Sequence, residues 1–327
     1  MSGSDVRVSV VMCTYNGEKY LRDQLQSILD QTRPPVEIII SDDGSTDSTL
    51  HIVAEFTSSS SGPQSLVWRV ETRTRPLGVS GNFASALTKA RGEFIALADQ
   101  DDVWESDRLE KALAQFHDDV LLVHSDATLI DASGSPTGTL MSALRLTSTE
   151  RRNLLSGRAL DALLRRNVVT GATTMIRSSL LEHALPIPEG WVHDEWLALV
   201  AAAQGGVVFL EDPLIRYRQH GNNEIGASKT DYEEATRRLR EKRSEFFARK
   251  RRRNDGIAAL LDSKPAWLDS VAHSSLAAKV EFDQWRSALP SSRVRRLVPV
   301  LRRWFAGDYG RYARGFVDVI RDIALTD

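Results

Sequence analysis

A chain of 327 residues, 42% of them hydrophobic, can build one large domain or two ordinary ones. Its lone cysteine, Cys13, lies inside the apolar run VSVVMC, which excludes a disulfide framework and a thiolate metal site and fits a reducing compartment. The net charge of -2 hides an asymmetry: residues 1–228 carry 20 Lys+Arg against 30 Asp+Glu, while residues 229–327 carry 22 against 14. An acidic first part suits a metal site, and a basic last part suits an anionic surface such as a membrane leaflet. Nucleic acid is disfavoured as a partner, because neither zinc-finger spacing nor an RNA-binding aromatic motif is present. MSGSDVRV lacks a charged segment followed by an apolar run, and no stretch reaches the roughly 18 to 20 apolar residues that span a bilayer. The expected location is cytoplasmic, soluble or peripheral at the inner face of the cell membrane.

Apolar runs of strand length alternate with segments of helical period. RVSVVMC (7–13) precedes EKYLRDQLQSILDQ (18–31), and EIIIS (37–41) precedes TDSTLHIVAEF (46–56). LVWRVET (66–72), GNFASALTKAR (81–91), EFIALAD (93–99) and DRLEKALAQF (107–116) continue the pattern. Such alternation predicts an α/β fold: a mostly parallel, Rossmann-like sheet covered on both faces, with ligands at the carboxyl ends of the strands. After VLLVHSDATLID (120–131) the pattern loosens, and from about residue 230 the composition turns helical and charged. The predicted division is a catalytic domain over 1–228 and a basic helical extension over 229–327.

The most informative stretch is EFIALADQDDVW (93–104), where three carboxylates occupy four positions. Carboxylates so crowded raise one another's pKa unless a cation or hydrogen-bond donors sit among them. If the strand direction persists, Asp99 and Asp101 face one side and Asp102 the other. Two carboxylates aimed at one spot suit Mg2+ or Mn2+ and leave positions for phosphate oxygens. The competing reading makes Asp101 or Asp102 the cap of a helix starting near Ser106. At the ends of the first two strands, CTYNGEKYL (13–21) and SDDGSTD (41–47) share this rim. Asp42 and Asp43 beside Gly44 offer acceptors for nucleobase and ribose groups, although Asp47 or Ser45 also reads as an ordinary helix cap.

TYNGEKYL, SDDGSTD, ADQDDVW, VHDEWLAL (192–199) and YRQHGNN (217–223), in this order, resemble the inverting family 2 glycosyltransferases of the GT-A fold. The resemblance covers roughly residues 7–226. It implies transfer of a sugar from a nucleotide diphosphate donor, with a divalent cation on the diphosphate. DQDDVW, HDEW and YRQHGNN are most similar to bacterial rhamnosyltransferases of surface-polysaccharide synthesis, which implies dTDP-L-rhamnose as donor and a glycan or lipid-linked acceptor. Residue by residue, it implies donor contacts from Thr14, Tyr15, Asn16 and Asp42, and a ribose and metal site built from Asp99, Asp101 and Asp102, with Asp101 favoured for direct contact. Asp194 matches the catalytic base, with Glu195 the runner-up. Where many relatives have Glu-Asp, this chain has His193-Asp194.

An inverting transfer needs one carboxylate to take the acceptor hydroxyl proton, and Asp194 can reach a shared cleft from a different wall than DQDD. HDEWLALVAAAQGG equally reads as a helix with an acidic first turn. His220 is a candidate third metal ligand or phosphate contact, against a purely structural role. Arg216 and Arg218 are candidates for bidentate diphosphate binding, and Arg218 is the one assigned to the donor. Gly171 leaves room for a sugar to approach the backbone. In the tail, Val294, Leu297, Val298, Leu301, Trp304 and Phe305 recur near helical spacing among arginines, with Pro299 an interruption. That pattern describes either an interfacial helix or a cap on the catalytic domain. Two rival functions remain. A nucleotidyltransferase is disfavoured because CTYNGEK has one Gly and one Lys rather than a basic, glycine-rich loop. A noncatalytic sugar-nucleotide-binding subunit follows if Asp194 lies elsewhere.

Overall fold

The computed structural model describes residues 6–59, 65–220, 242–263 and 265–325. The expected boundary at 228/229 and the end of YRQHGNN lie outside these residues. Within them the chain folds around a nine-stranded sheet. Strands β1 (Val8–Thr14), β2 (Glu37–Asp42), β3 (Val67–Thr72) and β4 (Phe94–Ala98) pair in parallel in the order β3-β2-β1-β4. β1, β2 and β4 are buried on both faces, as their near-continuous apolar runs require.

The mostly parallel sheet expected from sequence is parallel in this half and mixed beyond it. The remaining strands are β5 (Val103–Trp104), β6 (Leu122–Ile130), β7 (Pro136–Thr139), β8 (Thr174–Arg177) and β9 (Val207–Arg218). β8 is antiparallel to both β4 and β6, and β6 is parallel to β9, so β9 runs in the same direction as β1. The reversal has a functional consequence. The carboxyl ends of β1, β2, β4 and β9 and the amino end of β8 all reach one rim.

Alternation along the strands divides the core into two layers. Val10, Met12, Ile38, Ile40, Ala96 and Ala98 pack on one face, and Val11, Ile39, Ile95 and Leu97 on the other. The second layer also takes in Leu276, Val280, Phe282, Val300 and Tyr309. These come from helices Ser270–Ser287, Arg293–Phe305 and Asp308–Tyr312. The helical C-terminal region is therefore packed into the same core as the sheet. Much of its charge is internal. Arg286 is fully buried, with Nε 2.6 Å and Nη2 3.0 Å from the Asp322 carboxylate, and Asp318 lies at 3.2 Å. Tyr309 donates to the same Asp322 at 2.6 Å. Such a pair is tolerated inside because its hydrogen bonds offset desolvation.

Two local readings change. Neither Asp101 nor Asp102 caps the helix after DQDD, because Val103–Trp104 forms β5 first and that helix runs Arg108–Leu113 behind Asp107. Pro299 does not interrupt its helix, which runs through it from Arg293 to Phe305. Proline there loses one backbone N–H bond, and the buried Arg296 pins the turn before it to the carbonyl oxygens of Ser291 and Asp322 at 3.0 and 3.1 Å.

Candidate active site

The shared rim opens into a cavity of about 1430 Å3. Register explains its floor. Met12 pairs with Ala98 and Thr14 with Asp42, so β1, β2 and β4 end level and their next residues meet. Thr14, Tyr15, Asn16, Asp99, Asp101, Asp194 and His220 all line the cavity. Asp42, Asp102 and Arg218 do not.

Asp42 is fully buried and spent on its own turn. Its carboxylate accepts Thr14 Oγ1 at 2.7 Å, Ser45 Oγ at 2.5 Å and the backbone N–H groups of Gly44 and Ser45 at 3.1 and 2.8 Å. Asp43, its neighbour, faces the cavity and accepts the N–H groups of Leu77 and Gly78, each at 2.8 Å. Asp102 turns inward, as strand alternation anticipates. One of its oxygens accepts the Arg218 N–H at 2.9 Å, the other is buried without a partner, and burial pushes its pKa well up. Arg218 lies over the Tyr20 ring, 4.4 Å from its centroid, and donates through Nε to the Asp101 carbonyl at 2.8 Å. It braces the DQDD turn. Arg216 pairs with Glu105 at 2.9 Å on the outer surface.

Sequence reading missed Gln100. Its amide accepts the Tyr15 N–H at 2.9 Å and donates to the Tyr15 carbonyl at 3.0 Å, locking the loop after β1 to the DQDD turn. A Cβ on Gly17 would stand 2.3 Å from Gln100 Oε1, so a side chain there would push the Gln100 amide out of this clamp. The one signal available was the position of Gln100 between two cavity-facing carboxylates. Asn16 adds a second clamp from a left-handed backbone, φ +49°, accepting the Thr46 N–H at 2.8 Å.

At the floor, His220 Nε2 lies 2.7 Å from Asp101 Oδ2, and Asp99 sits beside them. Desolvation, then the charges of Asp101 and Asp194, raise the Asp99 pKa to about 7. Desolvation also raises Asp101, opposed by His220. Among the described residues no three His, Cys, Asp or Glu side chains form a group that by itself could hold a metal ion. The donor set nonetheless fits a hard cation that brings its remaining oxygen ligands with a diphosphate. Two carboxylates repelling each other in a polar cavity are stabilised by positive charge.

Asp194 lines the same cavity, near enough to Asp99 for its charge to raise the Asp99 pKa. It occupies the first turn of helix His193–Ala203. Its oxygens accept the Gly171 N–H at 2.9 Å and the Glu195 N–H at 2.7 Å. These bonds fix the carboxylate while leaving each oxygen a lone pair. Desolvation outweighs them and raises its pKa to about 6. A Cβ on Gly171, at the turn leading into β8, would lie 3.0 Å from His193 Nε2 and 3.4 Å from Asp194 Cβ, so a side chain there would press His193 aside. His193 stacks on Phe83 with centroids 3.9 Å apart, and desolvation lowers its pKa to about 3, so it stands beside Asp194 as a neutral ring. Glu195 is bound to Arg253 at 3.0 Å and does not line the cavity.

A family model described as glycosyl transferase family 2 matches residues 9–183. The chain is 31% identical over 238 residues to the uncharacterized protein Rv1520 of Mycobacterium tuberculosis, covering 68% of this chain and 62% of that one. It is therefore matched to less than two thirds of that relative's length. The dTDP-rhamnosyl transferase RfbG of Shigella flexneri is 27% identical over 233 residues, covering 66% of this chain and 74% of RfbG. In three dimensions, the crystal structure of Staphylococcus aureus TarS 1-349 in complex with UDP-GlcNAc superposes with a TM-score of 0.57 at 19% identity, covering 98% of this chain and 93% of TarS. The α/β architecture is thus of the GT-A type, helical C-terminal region included. Since the matched span holds both the rim after β1 and β2 and the DQDD floor, the chain belongs to glycosyl transferase family 2.

Proposed function

We propose that this chain is an inverting, metal-dependent glycosyltransferase that moves a sugar from a nucleotide diphosphate donor to a hydroxyl of a surface polysaccharide or lipid-linked glycan. The observation carrying this reading is the disposition of acidic groups across one cavity. Asp99 and Asp101 crowd its floor, and Asp194, with a pKa raised to about 6, lines the same cavity within reach of Asp99. A base needs access to the acceptor and a pKa near working pH.

The donor nucleotide sits against Thr14, Tyr15, Asn16 and Asp99. Asp43 is the carboxylate available to nucleobase or ribose donors in place of Asp42. Asp194 removes the acceptor hydroxyl proton as that oxygen attacks the anomeric carbon from the face opposite the nucleotide. The bond from that carbon to the phosphate oxygen breaks, and the diphosphate leaves with the electron pair, which inverts the configuration. Asp101 and His220 would hold Mg2+ or Mn2+, which supplies neutralising charge on the departing diphosphate. Asp102, though adjacent in sequence, supports this floor from behind.

L-rhamnose from dTDP-L-rhamnose is the preferred donor, supported by the likeness to RfbG and by the DQDDVW, HDEW and YRQHGNN motifs. UDP-linked or other dTDP-linked sugars fit the same chemistry. A bound donor stabilises the fold by RT ln(1 + [L]/Kd), so a thermal-shift screen of dTDP, UDP and GDP sugars with Mn2+ tests the reading. The expected result is a metal-dependent rise in Tm with one nucleotide class, largest for dTDP-L-rhamnose. No shift with any donor would overturn it, and a shift without transfer to any acceptor would favour a binding subunit.

A further inference from the structure

Two neighbouring helices near the end of the described chain are inside out. In Arg293–Phe305 the buried positions are Arg296 and Val300. Arg296 is 1% exposed and donates to the carbonyl oxygens of Pro290, Ser291, Asp322 and Leu325. The apolar face made of Val294, Leu297, Val298, Leu301 and Phe305 points to solvent, with Val298 73% and Phe305 82% exposed. Helix Phe316–Ala324 repeats the inversion. Asp318 and Asp322 point inward to Arg286, while Phe316, Val317 and Ile320 are exposed. The helices pack on each other, and Trp304 joins their outer faces, its ring centroid 5.4 Å from Phe305 and 5.6 Å from Phe316. A continuous apolar patch of this kind marks an interaction surface.

Charge says what covers it. Arg293, Arg295, Arg302, Arg311 and Arg314 are exposed around the patch. The acids of this segment are turned away: Asp308 pairs with Arg303 at 2.9 Å, and Asp318 and Asp322 are buried on Arg286. A second copy docking by twofold symmetry would set this cationic fringe against itself. No helix among the described residues is long and apolar enough to cross a membrane. Apolar side chains ringed by arginines instead match the interface of an anionic bilayer.

The patch also adjoins the cavity. Arg314 and Val317 line both. Behind them Arg165 donates to the Ala313 carbonyl at 3.4 Å, and Arg165 and Arg166 share the buried Glu150 at 3.9 and 3.0 Å, so the cavity lining next to the patch holds two arginines on one carboxylate.

We propose that this patch seats the protein on an anionic phospholipid surface, with the cavity mouth at headgroup level, where a lipid-borne acceptor presents its hydroxyl. The acceptor clause rests on the glycosyltransferase reading; the docking clause does not. Sedimentation with vesicles of phosphatidylglycerol and phosphatidylcholine, compared with phosphatidylcholine alone, tests docking. The intact protein is expected to bind the anionic vesicles and to be released as salt rises. Val298→Asp/Phe305→Asp, which touches neither cavity nor core, is expected to weaken binding by about tenfold or more. Its donor-induced thermal shift should stay unchanged, which separates failure of docking from failure of the enzymatic reading. Absence of wild-type binding to anionic vesicles at low salt would overturn the proposal. So would equal binding by the double variant, or a wild-type dimer in sedimentation equilibrium that the double variant converts to monomer.

Discussion

Asp194→Asn is expected to lower transfer about 100-fold or more, the usual scale for loss of a general base, with donor binding largely kept and Tm lowered, since the amide can accept only one of the two backbone N–H groups that the carboxylate now accepts. The amide fills the same space at the start of helix His193–Ala203 but cannot take the acceptor proton. A pH profile separates this role from a structural one. Because desolvation raises the Asp194 pKa to about 6, wild-type kcat/KM should fall as pH drops through about 6 and protonates the base. Asp99, raised to about 7, titrates nearby, so the decisive comparison is whether the limb near 6 vanishes in Asp194→Asn. Glu195→Gln serves as the control. Its carboxylate is held by Arg253 at 3.0 Å outside the cavity, so its loss should change transfer only a few-fold. A crippled Glu195→Gln beside an active Asp194→Asn would move the base by one residue.

Asp101→Asn is the second large effect. Charge stabilisation of a departing diphosphate by a cation amounts to several kcal/mol, so turnover should drop by about 100-fold or more. Mn2+-dependent donor stabilisation should drop with it, and metal-free Tm should hold, since asparagine can still hydrogen-bond His220 where Asp101 now does at 2.7 Å. Isothermal titration of the donor with and without Mn2+ reads the loss directly. Wild-type transfer persisting in excess EDTA would remove the metal from the mechanism.

The sequence carried the parallel half of the sheet because strands buried on both faces leave nearly unbroken apolar runs, such as VSVVMC and EIIIS. Strand alternation put Asp102 on the side away from Asp99 and Asp101, but the resemblance placed it in the metal site; the chain bends at Gln100 and Asp101, and Asp102 is buried away from the cavity lining. The antiparallel insertion of β8 was not legible, since VTGATTMIR has the composition of any buried strand and nothing in it encodes direction. The exchange of Asp42 for Asp43 at the cavity was hidden for a related reason. Both carboxylates accept backbone N–H groups, and what separates them is that Asp43 lines the cavity while Asp42 is fully buried behind it. Gln100 escaped notice between more conspicuous charges. In the tail, helical periodicity identified the apolar face but not its direction. The buried Arg296 and Asp322 show that here the charged side faces the protein.

The central claim is that a single carboxylate, Asp194, drives displacement at the anomeric carbon from the face opposite the nucleotide. The most direct measurement is the anomeric configuration of the first-formed product, read by NMR during turnover of whichever nucleotide sugar stabilises the protein. One displacement predicts a product of opposite configuration to the donor. A product that keeps the donor's configuration would contradict the account, because retention requires a second displacement or a front-face departure that a lone base at Asp194 does not provide.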